Sequence, residues 1–186
     1  MRNFLLVLLV FIPLGLWAQS PWLTGFEKPA ENPILQANSD FQFFCPVRKD
    51  SVSWQRADVF NPGAVVRNDT IFVFFRAEDN PKAKLGERTS RIGLAWSTDG
   101  LHFNRHPHPV LYPDQDPYLK WEYPGGVEDP RVVELENSTY LMLYTGWNND
   151  TARLCSAVSS DLIHWEKQGP VFEFAHGGEY LDTWSK

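Results

Sequence analysis

Arg91–Phe103 reads RIGLAWSTDGLHF, and Arg153–Trp165 reads RLCSAVSSDLIHW. Arg91, Ser97, Asp99, His102 and Phe103 find partners in Arg153, Ser159, Asp161, His164 and Trp165, each 62 positions later and without a gap. In both stretches an apolar run enters a polar turn built on Asp and leaves it on an aromatic residue, the signature of a β-hairpin. Outward from this pair, Ala64–Arg67, the turn Asn68-Asp69 and Thr70–Ala77 predict another hairpin. It is answered by Arg131–Leu135, a polar turn and Thr139–Thr145. Pro62 pairs with Pro130 at 68 positions, Thr70 with Thr139 at 69, and Pro109-Val110 with Pro170-Val171 at 61. Each unit therefore holds four predicted strands, with Arg91–Ser97 and Leu101–Arg105 completing the first and Arg153–Ser159 and Leu162–Glu166 the second. A four-stranded unit repeated at near-constant period is how a propeller blade appears in sequence. A β-sandwich with two similar hairpins is the alternative, but it needs no long repeat. The reading is an all-β propeller.

The chain has 186 residues and a net charge of −6; 43% of its residues are hydrophobic and 15% aromatic. That composition excludes a disordered chain, and the acidic balance argues against nucleic acid or an anionic membrane as partner. Residues 60–170 hold two units, whereas propellers close with about four to eight blades. At about 65 residues per blade, five need roughly 325, so the expectation is a chain truncated at its C-terminus that carries the first two to three blades.

Met1–Ser20 has a basic Arg2, an apolar run Phe4–Leu16 and then Ala18-Gln19, the pattern of a secretory signal peptide. An uncleaved anchor is the alternative. Cleavage after Ala18 divides the chain into 1–18, the signal, and 19–186, propeller. It predicts export to the periplasm or the exterior, with no membrane contact afterwards. Export permits a disulfide between Cys45 and Cys155, and two separate buried thiols are equally compatible with the spacing. No Cys/His spacing suggests a metal.

Three clusters are candidates for chemistry: Val59–Ala64, Phe75–Asp79 and Gly125–Arg131. In the last, the adjacent carboxylates Glu128 and Asp129 point to opposite sides of an extended segment, so one of them is expected to face a channel. Arg131 could hold a carboxylate or a ligand oxygen by paired hydrogen bonds. A capped turn with a surface ion pair is the plain structural alternative. Trp121-Glu122-Tyr123 reads as an irregular loop offering aromatic faces to a ligand. His102 and His164, at equivalent repeat positions, and the turn residues Asp99 and Asp161 read as structural.

These clusters resemble glycoside hydrolase family 130, the β-mannoside phosphorylases and β-mannosidases, from about Asn61 to Trp165. The carriers are Phe60–Ala64, Phe75–Asp79, Ser90–Ala95, Ser97–Gly100, Gly126–Arg131 and Ser160–Trp165. The resemblance implies a five-bladed propeller and an inverting enzyme with Asp129 as general acid. In the phosphorylases that acid is thought to act through a sugar hydroxyl. It further implies that Asn61 and Arg76 bind the mannose at the cleavage subsite, and it carries Arg91 and Arg131 over as substrate-binding residues. A general acid must be protonated near neutral pH, so Asp129 is expected to be partly desolvated with a raised pKa.

An inverting hydrolase needs a base across the sugar, and a phosphorylase needs cationic residues for phosphate. The resemblance places both sets largely downstream of the matched region. Phosphorolysis conserves bond energy as a sugar phosphate, useful near cytoplasmic metabolism, so a signal peptide favours hydrolysis. The expectation is an inverting hydrolase taking a β-mannoside oligosaccharide as its partner, with no cofactor. A β-mannoside phosphorylase using inorganic phosphate as co-substrate and releasing mannose 1-phosphate is the alternative. A non-catalytic carbohydrate-binding propeller is a third reading. Homo-oligomerisation stays open.

Overall fold

The computed structural model describes residues 25–83 and 86–182. The chain divides into two units, Met1–Ala30 and Glu31–Lys186. The described part of the first, residues 25–30, is exposed and carries no helix or strand. The export signal expected over Met1–Ser20 lies outside the described residues. Among the described residues, no helix is long and apolar enough to cross a membrane.

The second unit is built chiefly from antiparallel strands. A separate hairpin pairs β1 (Gln42–Cys45) with β2 (Asp50–Ser53). A first meander follows, made of β3 (Asp58–Arg67), β4 (Thr70–Glu78), β5 (Ser90–Ser97) and the short β6 (Asn104–Arg105). After a connection containing the one-turn helix α1 (Leu119–Glu122), a second meander runs through β7 (Gly126–Glu134), β8 (Tyr140–Trp147), β9 (Ala152–Ser159) and β10 (Glu166–Pro170). Ser90 and Gly126 form the parallel pair that joins β5 to β7. The repeat in the sequence is therefore a repeat in space: two four-stranded meanders of the same strand order. The described strands close no ring.

The repeated turn is reproduced bond for bond. Ser97 Oγ accepts from the Gly100 amide at 2.9 Å, and Asp99 Oδ1 from the amides of Leu101 and His102 at 2.8 and 2.9 Å. In the second repeat Ser159 Oγ accepts from Leu162 at 2.9 Å, and Asp161 Oδ1 from Ile163 and His164 at 2.8 Å. Each histidine ring closes on its own aspartate, Nδ1 to Oδ2, at 2.8 and 2.6 Å. His102 and His164 are thus turn residues. The capped turn also corrects two strand boundaries. Backbone amides engaged by Asp161, and Leu162 at φ 72°, cannot join a ladder, so β10 starts at Glu166 rather than Leu162. For the same reason β6 shrinks to Asn104–Arg105. The β1–β2 hairpin was not among the predicted strands.

Side-chain alternation splits the first meander between two cores. Phe75, Ala77 and Ala95 pack with Phe43, Cys45, Val52 and Trp54 of the hairpin region. Phe74, Ile92 and Leu94 turn the other way and join Val127, Val132, Tyr140, Met142, Tyr144, Cys155, Ala157 and Leu162 of the second meander. Cys45 and Cys155 are free, buried thiols lying in these different cores, which resolves the alternatives the sequence left open.

Candidate functional site

β3 and β7 open their meanders, and both break register at the matching place. The pairing of β3 with β4 shifts between Phe60 and Gly63, and that of β7 with β8 between Glu128 and Arg131. In each case a polar residue precedes a proline, Asn61-Pro62 and Asp129-Pro130. Proline has no amide to give the ladder, so pairing is already weakened there. Asn61 and Asp129 adopt left-handed backbone, φ 46° and 52°, a conformation that costs a non-glycine residue about 1–3 kcal/mol and is found where a side chain must be re-aimed. The two bulges press together: a Cβ on Gly63 would lie 2.5 Å from the Pro130 carbonyl oxygen. Across this contact Asn61 Nδ2 donates to Asp129 Oδ1 at 2.9 Å.

Arg76 of β4 completes the group. Its Nη1 lies 3.2 Å from Asp129 Oδ1, and its Nη2 lies 2.6 Å from Glu78 Oε1 and 2.8 Å from Glu128 Oε1. Its Nε donates to Ser90 Oγ at 3.1 Å, and its guanidinium stacks on the Phe60 ring, 4.7 Å from the centroid. Glu78 also binds Arg88 at 2.6 Å, and Arg88 reaches Asp58 at the start of β3. Side chains are 14% exposed at Arg76 and 18% at Asp129, so the Asp129 carboxyl is largely buried but reachable. Two guanidiniums here serve four carboxylates. Chemically, the site offers one carboxyl, an amide and a guanidinium edge to a neutral, hydroxyl-rich ligand.

The structure therefore brings Asp129, Asn61 and Arg76 together. It does not bring Arg91 to them. Arg76 pairs across the ladder with Ile92 and Ala77 with Arg91, so the two arginines lie on opposite faces. Arg91 is 0% exposed and bound to Asp79 at 3.0 Å, to the Thr89 carbonyl at 2.9 Å and over the Phe43 ring at 5.1 Å. Arg131 is exposed and its Nη1 donates to the Pro130 carbonyl at 2.9 Å. The expectation that Glu128 and Asp129 diverge is corrected: both reach Arg76, because the bulge and the positive φ cancel the alternation of an extended strand. Glu78 and Ser90 were within the quoted motifs but had no role. The available signal was Glu78 standing two residues after Arg76, hence on the same strand face.

The aromatic platform is also corrected. Trp121 is buried in α1 and stacks on Tyr118 at 6.2 Å. Glu122 is fully buried, accepts from the Tyr144 hydroxyl at 2.8 Å and meets Lys167 Nζ at 2.5 Å, with Asp116 on the same ammonium at 2.9 Å. Burial outweighs the lysine and pushes the Glu122 pKa up to about 7; it also pushes the Cys155 thiol up to about 12. Tyr123 alone of the three residues remains exposed. Among the described residues, no group of His, Cys, Asp and Glu is placed to hold a metal ion.

The sequence profile of glycoside hydrolase family 130, described as beta-1,4-mannooligosaccharide phosphorylase, matches residues 26–186. A 1,2-beta-oligomannan phosphorylase of Thermoanaerobacter sp. (strain X514) is 40% identical over 124 residues, 64% of this chain and 40% of that protein. A glycosyl hydrolase of Bacteroides ovatus superposes with a TM-score of 0.84 at 44% identity, over 87% of this chain and 46% of that one. A further structure, described with the finding that the mannoside phosphorylases of this family contain glycoside hydrolases targeting β-1,2 mannosidic linkages in Candida mannan, superposes at 0.84 with 43% identity, over 87% and 45%. The chain spans less than half the length of these relatives.

Proposed function

The chain belongs to glycoside hydrolase family 130, and from that premise we propose that the full-length protein is a five-bladed propeller that cleaves β-mannosides by phosphorolysis. The two meanders are blades of that ring. Asp129 is the general acid, with Asn61 and Arg76 holding the mannose at the scissile bond. One observation carries this reading: two repeat-equivalent bulges aim Asn61 and Asp129 at each other beside the Arg76 guanidinium. One relative, 40% identical, is a 1,2-beta-oligomannan phosphorylase. It supports phosphorolysis over the hydrolysis expected from the export signal, and the β-1,2 linkage as first substrate. Inverting hydrolysis is the second reading, favoured by structures of 44% and 43% identity associated with glycoside hydrolases. Export of the protein remains part of the proposal and rests on Met1–Ser20 alone.

Full-length protein incubated with β-1,2- and β-1,4-mannobiose, with and without inorganic phosphate, tests the reading. Mannose 1-phosphate formed only when phosphate is present supports the phosphorylase. Mannose released at a phosphate-independent rate supports the hydrolase. Binding of either disaccharide without any cleavage overturns both in favour of a carbohydrate-binding propeller.

A further inference from the structure

Arg76 has five N–H donors in a planar fork, and most are committed before any ligand arrives. Nε is taken by Ser90 Oγ, and Nη2 by Glu78 and Glu128. Ser90 Oγ itself lies 3.2 Å from Glu78 Oε1 and 3.3 Å from Glu128 Oε1. Serine and two glutamates thus bracket one edge and the far corner of the guanidinium, while Phe60 supports its face. Only Nη1 turns toward Asp129. We propose that Glu78 and Ser90 are positioning residues for the acid: they fix the Arg76 plane so that Nη1 alone faces Asp129 and the sugar. The proposal rests on the assignment of Asp129 as general acid.

The clamp is built from separate elements. Glu78 ends β4 and Ser90 begins β5, a ladder pair of the same register. Glu128 and Asp129 come from β7, Asp58 from β3, and Arg88 from the connection before β5. The charged groups facing Glu78 include Arg76, Arg88 and, through Ser90, Glu128; those facing Asp129 include Arg76, which Glu128 also contacts. Glu78 also offsets part of the positive charge that Arg76 presents to Asp129. Removing that offset favours ionised Asp129, whereas a general acid must hold its proton.

The test is the pH dependence of kcat/KM for full-length protein on β-1,2-mannobiose. Activity that needs protonated Asp129 falls as pH rises through a basic limb. Glu78→Gln removes the charge and should move that limb down by about 1 pH unit. Ser90→Ala removes a hydrogen bond and no charge, so kcat should drop with the limb unmoved and KM little changed. Glu78→Asp keeps the charge but shortens the reach, and should behave like Ser90→Ala. An active wild-type protein whose limb is the same in Glu78→Gln overturns the positioning role alone. Unchanged kcat in both Ser90→Ala and Glu78→Asp overturns it whether or not Glu78→Gln folds. A wild-type protein that cleaves no mannoside overturns the underlying reading, and the proposal with it.

Discussion

Asn61 and Asp129 stand 68 residues apart in the chain, at the same step of successive repeats, and their side chains meet in a 2.9 Å hydrogen bond. One bulge carries the amide and the other the acid. The repeat supplies two like backbone devices, and a single atom's difference between the side chains makes them complementary.

That complementarity is testable without any assay of turnover. Asn61→Asp would set two carboxylates against each other, and groups so close cannot both ionise cheaply. The proton retained by the pair raises its folded pKa above the unfolded value. Stability is then present at low pH and lost as pH rises through that raised value. Relative to wild type, the Tm of Asn61→Asp should be close at pH 4 and clearly lower at pH 7. An equal Tm deficit at both values would contradict the placement.

Gly126 is where the two meanders join, and its backbone φ is 114°. A Cβ there would fall 2.2 Å from the Ser90 carbonyl oxygen and 2.3 Å from its nitrogen. Backbone cannot step aside as a flexible side chain can, and the conformation itself is strained for any L residue. Gly126→Ala should therefore cost about 3 kcal/mol or more, read from the denaturant midpoint. A shift below about 1 kcal/mol, ordinary for a tolerated glycine replacement, would show that the junction is not as tight as described.

Arg91 is expected to matter for folding and not for sugar. Among the described residues, Arg91→Leu leaves Asp79 with the half-exposed Arg48 at 3.4 Å and the Thr89 amide at 3.1 Å, and breaking a buried pair from one side costs up to about 3–5 kcal/mol. The loss should appear in Tm, with KM unchanged in whatever protein folds. A normal Tm with a raised KM would return Arg91 to the proposed substrate-binding residues.

Glu122 should make stability pH-dependent on its own. Its folded pKa is raised to about 7 by burial, above an ordinary 4.5. Both states are protonated below 4.5; between there and 7 the unfolded chain ionises first, so stability is lost as pH rises. The difference corresponds to about 3 kcal/mol. Glu122→Gln should flatten the fall in Tm between pH 4.5 and 7.5, and an unchanged slope would contradict the assignment.

The meanders were legible in the sequence because their defining turns are local. Ser97, Asp99 and His102 satisfy one another within a few residues, so the pattern recurs wherever the turn does. The bulges were only half legible. Pro62 and Pro130 marked the positions, but positive φ at Asn61 and Asp129 depends on β3 and β7 pressing together, which no local pattern encodes. Arg91 misled for the converse reason: its strand face is set by the β4–β5 register and by the hairpin that covers it, and that hairpin of only four-residue strands left no periodic trace. Trp121 misled because a one-turn helix is too short to show a helical period.

The most direct measurement is the turnover of β-1,2-mannobiose by full-length Asp129→Asn beside wild type, each in the presence and absence of phosphate. With Asp129 as general acid, turnover should fall by about 10²–10⁴-fold while the variant keeps the wild-type Tm within a few degrees. Wild-type turnover from a folded Asp129→Asn protein would contradict the assignment.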